Sequence, residues 1–372
     1  MKTKVLYIIS DKNFGGGSRH VLNLISNLDS RFEPILISRP SPIIVKTENK
    51  IKTYAVEMKS RIDFKAVKKI KNIIKIEKPN IIHLHSARTG ILGTLAAKDS
   101  KIPIIYTEHL FTNTYVPVNK LVHVSQIFVF RHLSKYITKV IAVSKAVKNY
   151  LVDKKMFPAD KIEVIYNGIE TGCSSKMLPR LNSEQVGAGK KQNEVIIGSV
   201  GALTKIKGYK YLIEAIYEAM LQATGYKLLL ELVGTGPDEL ELKAMVKKYH
   251  LENYIKFLGQ KNDIFEVMKN WDIYVQSSLS ESFGLAAAEA MSMGIPVIAS
   301  DVGGIPELVN KNSGILVEPK NPKSLASAII KLAGDKKLRT DLGQNASARI
   351  EKKFSLDKMI EETEKLYHKI LK

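Results

Sequence analysis

The chain holds a single cysteine among its 372 residues, which excludes an intramolecular disulfide framework and suits a reducing compartment. That residue, Cys173, lies in a Ser/Lys-rich stretch and reads as incidental rather than nucleophilic. Long apolar runs are also missing. No uninterrupted apolar stretch of about 18 residues occurs, so none reads as a bilayer-spanning helix. The opening KVLYIIS is too short and too polar in its flanks for a signal peptide, and reads as a strand. Neither an internal repeat nor a low-complexity tract is visible. Acidic residues are scarce in one half only. Residues 1–180 carry 31 Lys+Arg against 13 Asp+Glu, a surplus of +18, whereas the remainder carries 26 against 24. Nearly all of the net charge of +20 is therefore N-terminal. A field of one sign on one half implies an anionic partner, for which nucleic acid and anionic lipid both qualify. The basic half lacks any recognisable RNA or DNA module and any interleaved stacking aromatics, which argues against nucleic acid.

What is present is an alternation. Hydrophobic residues make up 45% of a chain long enough for two domains. Strands are expected at residues 5–10, 34–38, 81–85, 102–107, 139–143 and 163–166, with helical patterns between them. Val21, Leu22, Leu24, Ile25 and Leu28 form one apolar stripe, and Val67, Ile70 and Ile74 another. Asp63 is placed to cap the second helix and Pro79 to end it. Residues 171–193 break the pattern into a polar, glycine-containing linker. A second alternation follows, with strands expected at 195–200, 227–233, 255–258, 272–276, 296–300 and 314–317. Strands separated by single helices imply parallel sheets covered on both faces. The expected fold class is α/β, two tandem Rossmann-like doubly wound domains over residues 1–170 and 194–354, with a cleft between them. Residues 356–371 read as a final helix.

Residues 278–309 organise the second half. A β-prone run precedes their helical core and another follows it. Between the two, residues 283–293 are rich in Ala, Leu and Met, with good helix propensity. Glu281 stands on the preceding loop and Glu289 two turns into the helix. Ser282, Phe283, Gly284 and Leu285 are expected in the first turn, where backbone N–H groups have no partner inside the helix. Such an end binds a diphosphate, and Gly284 lets the anion approach the backbone. Two glutamates in an Ala-rich helix are a weak signal alone. Here they come with SFG, with GIPVIASDVGG beyond, and with a lysine–glycine loop upstream. In that context the stretch resembles the nucleotide-sugar signature of retaining GT-B glycosyltransferases of the family 4 type: Glu, seven residues, Glu. The likeness extends from the glycine loop at Gly15 to the final helix.

The resemblance implies a donor site in the second domain. Glu289 is expected to hold the donor ribose, and Glu281 to lie near the donor sugar and stabilise its developing positive charge. The loop from Gly201 to Gly208 matches the family at Lys207-Gly208, but Ala202 stands where an arginine is usual. Either Lys205 supplies the second charge, or one cation suffices. A cation there would neutralise the leaving diphosphate. Gly234 and Gln260 fall in loops that line the nucleotide pocket in that family; Asp263 is a further candidate beside the base. In the first domain Gly16 and Gly17 match a glycine loop bordering donor and acceptor. Arg19 and His20 either contact an acceptor phosphate or are surface residues. His109 occupies the place of a histidine that bonds the donor sugar, or is merely a polar residue closing a strand. Asn167 opens an Asn-Gly-Ile-Glu turn near the family's hinge. The helix at 355–372 is expected to pack back onto the first domain.

No Asp-x-Asp occurs, so the carboxylate pair commonly used to hold a divalent ion on a nucleotide diphosphate is lacking. Helix dipole and lysine would act instead, and neither a metal nor another cofactor is expected. His83 and His85 share one strand face, but two imidazoles make a poor metal site. Two basic amphipathic stretches read as membrane-surface candidates. One, at 64–78, carries Lys65, Lys68, Lys69 and Lys71; the other, at 118–135, carries Lys120, Phe128, Phe130 and Arg131. The resulting expectation is a retaining, metal-independent hexosyl- or N-acetylhexosaminyltransferase using a nucleotide-diphosphate sugar, with UDP favoured. Its acceptor would be a lipid-linked or anionic glycan of a bacterial cell-envelope pathway. The enzyme would be cytoplasmic and peripheral on the inner membrane face. A GT-B nucleotide-sugar epimerase and a basic nucleic-acid-binding protein are the alternatives.

Overall fold

The computed structural model describes residues 2–11, 15–110, 120–170, 193–222 and 225–372. Its contacts divide the chain into two compact units, Met1–Gly168 with Leu356–Lys372, and Ile169–Ser355. Most of the expected linker, Cys173 included, lies outside the described residues, as do Asn13 and Phe14.

The first unit is built on seven strands: β1 Thr3–Ile9, β2 Phe32–Ser38, β3 Lys52–Ala55, β4 Ile81–His85, β5 Ile104–Glu108, β6 Lys139–Ala142 and β7 Ile162–Val164. Their order is β3-β2-β1-β4-β5-β6-β7, and every pairing is parallel. Helices on both faces leave the central strands without a solvent side, so β1 reads as a continuous apolar run and Val5 to Ile9 are fully buried. The sequence reading missed β3. It is an edge strand, KTYA, whose residues are exposed or half-buried, so it carries no apolar run to betray it. Asp63 caps the helix Phe64–Glu77 by accepting from the Ala66 N–H, as its position suggested.

The second unit has six strands: β8 Glu194–Val200, β9 Lys227–Val233, β10 Ile255–Gly259, β11 Ile273–Gln276, β12 Val297–Ser300 and β13 Gly314–Val317. They run in the order β10-β9-β8-β11-β12-β13. In each sheet the winding direction reverses beside the first strand, between β1 and β4 and between β8 and β11. Ligands of doubly wound folds gather at such reversals, outside the strands' carboxyl ends. Two α/β units with parallel sheets are thus present, as the alternation implied.

The final helix, Leu356–Leu371, belongs to the first unit. Leu356, Met359, Ile360, Leu366 and Tyr367 enter the same core as Val5, Tyr7 and Leu36. At its centre the Tyr367 hydroxyl lies 2.9 Å from the Tyr7 hydroxyl and 2.6 Å from His83 Nδ1. His83 Nε2 completes the chain 2.7 Å from Thr107 Oγ1. Every polar atom of that line has a partner although all four residues are buried, as burial demands. Tyr367→Phe should therefore cost about 1–3 kcal/mol by stranding its partners. A lowered urea midpoint with an unchanged slope is the expected result; an unaltered midpoint would show that the line contributes no stability.

Candidate active site

In the second unit the chemistry gathers at the carboxyl end of β11. Tyr274 Oη donates to Gln276 Oε1 at 2.6 Å, and Gln276 Nε2 donates to Ser278 Oγ at 2.7 Å and Glu281 Oε1 at 2.8 Å. Ser278 Oγ donates to the same carboxylate oxygen at 3.0 Å. Lys207 Nζ completes the set as an ion pair with Glu281. Burial raises the Tyr274 phenol well above its ordinary value, with the charges of Glu281 and Glu289 adding to it, so it remains a donor into this network.

Lys207 reaches Glu281 from 74 residues away because two loops are laced together. Ser277 Oγ donates to the Lys207 carbonyl at 3.0 Å, and the Leu279 N–H donates to the Ile206 carbonyl at 2.7 Å. Gly208 permits the approach: it sits at φ 66, and a Cβ there would lie 2.1 Å from the Ser277 carbonyl oxygen. Lys205, in the same turn, is exposed and makes no ion pair among the described residues. The loops ending β8, β9 and β10 are joined likewise. Gly201 N–H donates to the Val233 carbonyl at 3.0 Å and Gly234 N–H to the Gly259 carbonyl at 2.9 Å. Gln260 follows, exposed.

The helix expected over residues 283–293 starts only at Leu285 and ends at Ser292. Gly284 is its cap, at φ 96, with no side-chain hydrogen bond closing the helix end. A Cβ at Gly284 would meet Ile305 Cδ1 at 2.5 Å. Ser282 and Phe283 therefore precede the first turn rather than forming it. Phe283 is a core residue, 1% exposed and edge-on to Phe354 with ring centroids 5.5 Å apart. Leu285 and Ser282 are half-buried, and Glu289 is buried on the helix. Asp263 accepts from the Phe265 and Glu266 N–H groups and so caps the helix that follows β10.

The first unit gathers histidines at its own strand ends. His85 closes β4, His109 follows β5 and His20 lies in the first turns of the helix Gly16–Asn27. Gly16 and Gly17 start that helix, whose N-terminus has no side-chain cap; Arg19 beside them is half-buried. His85 Nδ1 and His109 Nε2 are 3.2 Å apart, and His20 Nδ1 lies 2.9 Å from Asn167 Oδ1. Glu108 is buried, accepting from the Tyr106 hydroxyl and, at 2.8 Å, from the Leu110 N–H.

Both sheets match known sequences. Residues 14–172 match Glycosyltransferase Family 4, and residues 182–349 match Glycosyl transferases group 1. An uncharacterized glycosyltransferase of Methanocaldococcus jannaschii is 30% identical over 307 residues, 79% of this chain and 76% of the relative. The chain belongs to the family 4 glycosyltransferases. The UDP-Gal:alpha-D-GlcNAc-diphosphoundecaprenol alpha-1,3-galactosyltransferase of Escherichia coli is 30% identical over 313 residues, 82% of this chain and 79% of that one. In fold, the chain is similar to Anabaena Alr3699/HepE in complex with UDP. The TM-score is 0.82 at 22% identity, covering 99% of this glycosyltransferase and 100% of that chain.

Lys207 is paired with Glu281, and some expectations about this glycosyltransferase need correction. His20 is neither a surface residue nor a cation: burial pushes its imidazole down to about 4, against the raising effect of Asn167. The count of two imidazoles was also short. Ligand atoms of His20, His85 and His109 lie within 4.8 Å of one another, the only such group of three among the described residues. Three neutral imidazoles can hold a divalent ion; the third donor arrives from another element, which the alternation on β4 does not reveal. His83 is spent in the core. Phe130 is also internal, 0% exposed and packed on Tyr106 and Phe157, while Phe128 on the same helix is 59% exposed. Arg131 donates to the Lys154 carbonyl at 3.1 and 2.8 Å. Lys120 opens that helix, and its side chain lies outside the described residues. Gln276, Ser278, Tyr274 and Glu108 were missed as site residues, since none belongs to a spaced motif; Asn167, expected in a turn, is the partner of His20.

Burial also holds His85 and His109 well below their ordinary range, with neighbouring imidazoles lowering them further. In the unfolded chain such groups take up protons below about pH 6.5, whereas folded His20 resists until about 4. The unfolded state then binds more protons, so stability falls as the pH falls through this window. For His20 the loss approaches about 3 kcal/mol. Thermal unfolding of His20→Gln should show a flatter decline than wild type between about pH 6.5 and 5. Parallel declines would place the proton uptake elsewhere.

Proposed function

We propose that the enzyme transfers a hexosyl or N-acetylhexosaminyl group from a UDP-sugar to a hydroxyl of a lipid-linked or anionic glycan acceptor. In this reading configuration is retained and no metal ion takes part. The observation that carries it is the convergence of Lys207 and Glu281 beside the open helix start at Gly284, with Glu289 buried on that helix. The uncapped N–H groups and the Lys207 ammonium receive the donor diphosphate. As the leaving diphosphate gains charge, Lys207 shifts from Glu281 towards it, and the Glu281 carboxylate faces the positive charge that grows on the sugar. Glu289 takes the ribose hydroxyls. His109, half-buried and with desolvation holding its imidazole well below the ordinary range, serves as a hydrogen-bonding group rather than as a charge.

A covalent glycosyl intermediate needs a carboxylate on the far face of the reacting carbon. The sequence singles out no such second residue, which favours front-face transfer. The absence of Asp-x-Asp supports a donor site that works through lysine and helix dipole. Membrane docking on the inner face of the cell membrane is supported by the +18 surplus of residues 1–180. It is also supported by Leu121, Val124 and Phe128, exposed along the helix Lys120–Leu133. Lys65, Lys68 and Lys69 are exposed on the helix Phe64–Glu77. No helix among the described residues is long and apolar enough to cross a membrane.

Glu289→Ala should weaken UDP-sugar binding at least about tenfold by calorimetry while the far-UV spectrum stays unchanged, a loss of about 1.4 kcal/mol. Lys207→Ala should chiefly lower kcat, because its charge is needed most in the transition state. Activity should survive EDTA; complete loss on chelation, restored by magnesium or manganese, overturns the metal-free donor site. For the membrane, sedimentation with anionic vesicles should fall steeply as salt rises and weaken in Phe128→Ser. Vesicle binding that is absent at low salt rejects the docking.

A further inference from the structure

Three arginines lie in the first unit, in the connections that follow β2, β3 and β4. Arg39 directly follows β2, Arg61 lies between β3 and the helix Phe64–Glu77, and Arg88 sits in the first turn of the helix Ala87–Ala97 after β4. The strands concerned, β3, β2, β1 and β4, are consecutive neighbours in the sheet. All three residues therefore follow the carboxyl edge, Arg39 and Arg61 on one side of the reversal between β1 and β4 and Arg88 on the other. Burial, then the like charges of Arg39 and Arg61, depress the Arg88 guanidinium; only Asp11 acts in the other direction.

That counter-charge is already shared, because the Asp11 carboxylate accepts from Ser18 Oγ at 3.0 Å. Arg88 Nη1 donates to the Met58 carbonyl at 3.1 Å. The Nε atoms of both Arg39 and Arg88 are shielded from solvent, with no hydrogen-bond partner among the described residues. Arg39 and Arg61 make no ion pair among those residues. The helix carrying Arg88 also starts without a side-chain cap and without an acidic residue in its first turn, so a cation stands where the helix dipole favours an anion. Its cap, Ser86, is held at φ 77, a conformation that non-glycine residues keep only where surroundings enforce it.

Like charges brought together with buried donors left over are unfavourable in the free protein. One ligand class relieves all of these at once. A phosphate or diphosphate offers several acceptor oxygens and two or more negative charges, and guanidinium forks pair with such oxygens bidentately. We infer that Arg39, Arg61 and Arg88 form a binding site for a phosphate or diphosphate group carried by the acceptor. Assigning the anion to the acceptor rests on the transferase reading above; the site itself rests on the arginines. A diphosphate on a lipid and a phosphate on a soluble sugar share this chemistry.

The test keeps donor and acceptor apart. The protein is first saturated with UDP, then titrated with inorganic pyrophosphate by calorimetry. Wild type should bind pyrophosphate, and Arg39→Gln and Arg88→Gln should each weaken that binding at least about tenfold while UDP affinity stays unchanged. Arg61→Gln, at an exposed position, provides a variant whose folding is not at risk and should weaken it in the same direction. No pyrophosphate binding to the UDP-saturated protein overturns the proposal, as does equal binding by wild type and all three variants. A loss of UDP affinity in the arginine variants overturns it too, because the anion site would then be the donor's. Should wild type fail to bind UDP, the donor reading fails, and arginine-dependent pyrophosphate binding still supports the site. A second arm compares vesicles of neutral phosphatidylcholine with the same vesicles doped with a polyprenyl diphosphate. Arginine-dependent binding to the doped vesicles supports a lipid-borne source, and arginine-dependent binding of pyrophosphate alone supports a soluble one.

Discussion

A parallel sheet covered by helices on both faces has nowhere to put polar chemistry except the ends of its strands. This constraint acts on both units of the chain. Along β1 or β11 side chains are buried on either side, so each strand interior is given to packing. Ionisable and hydrogen-bonding groups are pressed to the carboxyl edges, where helix N-termini also point. Glu281, Lys207, Gln276, His85, His109 and Arg88 all lie at or just beyond such an edge. Their separation in sequence follows from the same rule, since each strand contributes only one or two positions to its rim.

Within those rims, proximity and burial set the charge states. In the second unit opposite charges meet, and Glu281 is surrounded by Lys207, Gln276 and Ser278 in one network. That network fixes the position of the carboxylate. In the first unit imidazoles meet imidazoles, and desolvation keeps them neutral. Neutral rings can accept and donate hydrogen bonds to a sugar without repelling a cationic transition state. Further along the same rim guanidiniums meet guanidiniums, which cannot discharge in the same way because Arg stays protonated. Asp11 offsets part of that like charge, and the anion inferred for the site would offset the rest.

The helix Lys120–Leu133 illustrates how apolar surface is divided. Its apolar content exceeds what one buried face can hold. Phe130 fills the space against Tyr106 and Phe157, and Leu121, Val124 and Phe128 remain in solvent. Exposed apolar groups next to basic ones are characteristic of a surface that meets the lipid interface. The same helix thus serves the core with one face and offers the other outward.

The sequence by itself was enough for the alternation of strands and helices, for the two parallel units and for the neighbourhood of Glu281 and Glu289. Each of these is encoded locally: in apolar runs, in caps such as Asp63, and in the spacing of two residues on one short segment. Edge strand β3 escaped because a half-exposed edge needs no apolar run. The helix start was displaced to Leu285 because glycine in a left-handed conformation, packed against Ile305, ends the loop later than propensity suggests. Only the tertiary structure decided which distant residues meet. Lys207 and Glu281 are joined by loop hydrogen bonds and by a close approach that glycine alone permits. His20 joins His85 and His109, and Arg39, Arg61 and Arg88 come together, only because sheet order places non-consecutive strands side by side. Whether Phe128 or Phe130 faced the core was likewise settled by packing: both are apolar, and the phase of a helix against its neighbours is not written in its own residues.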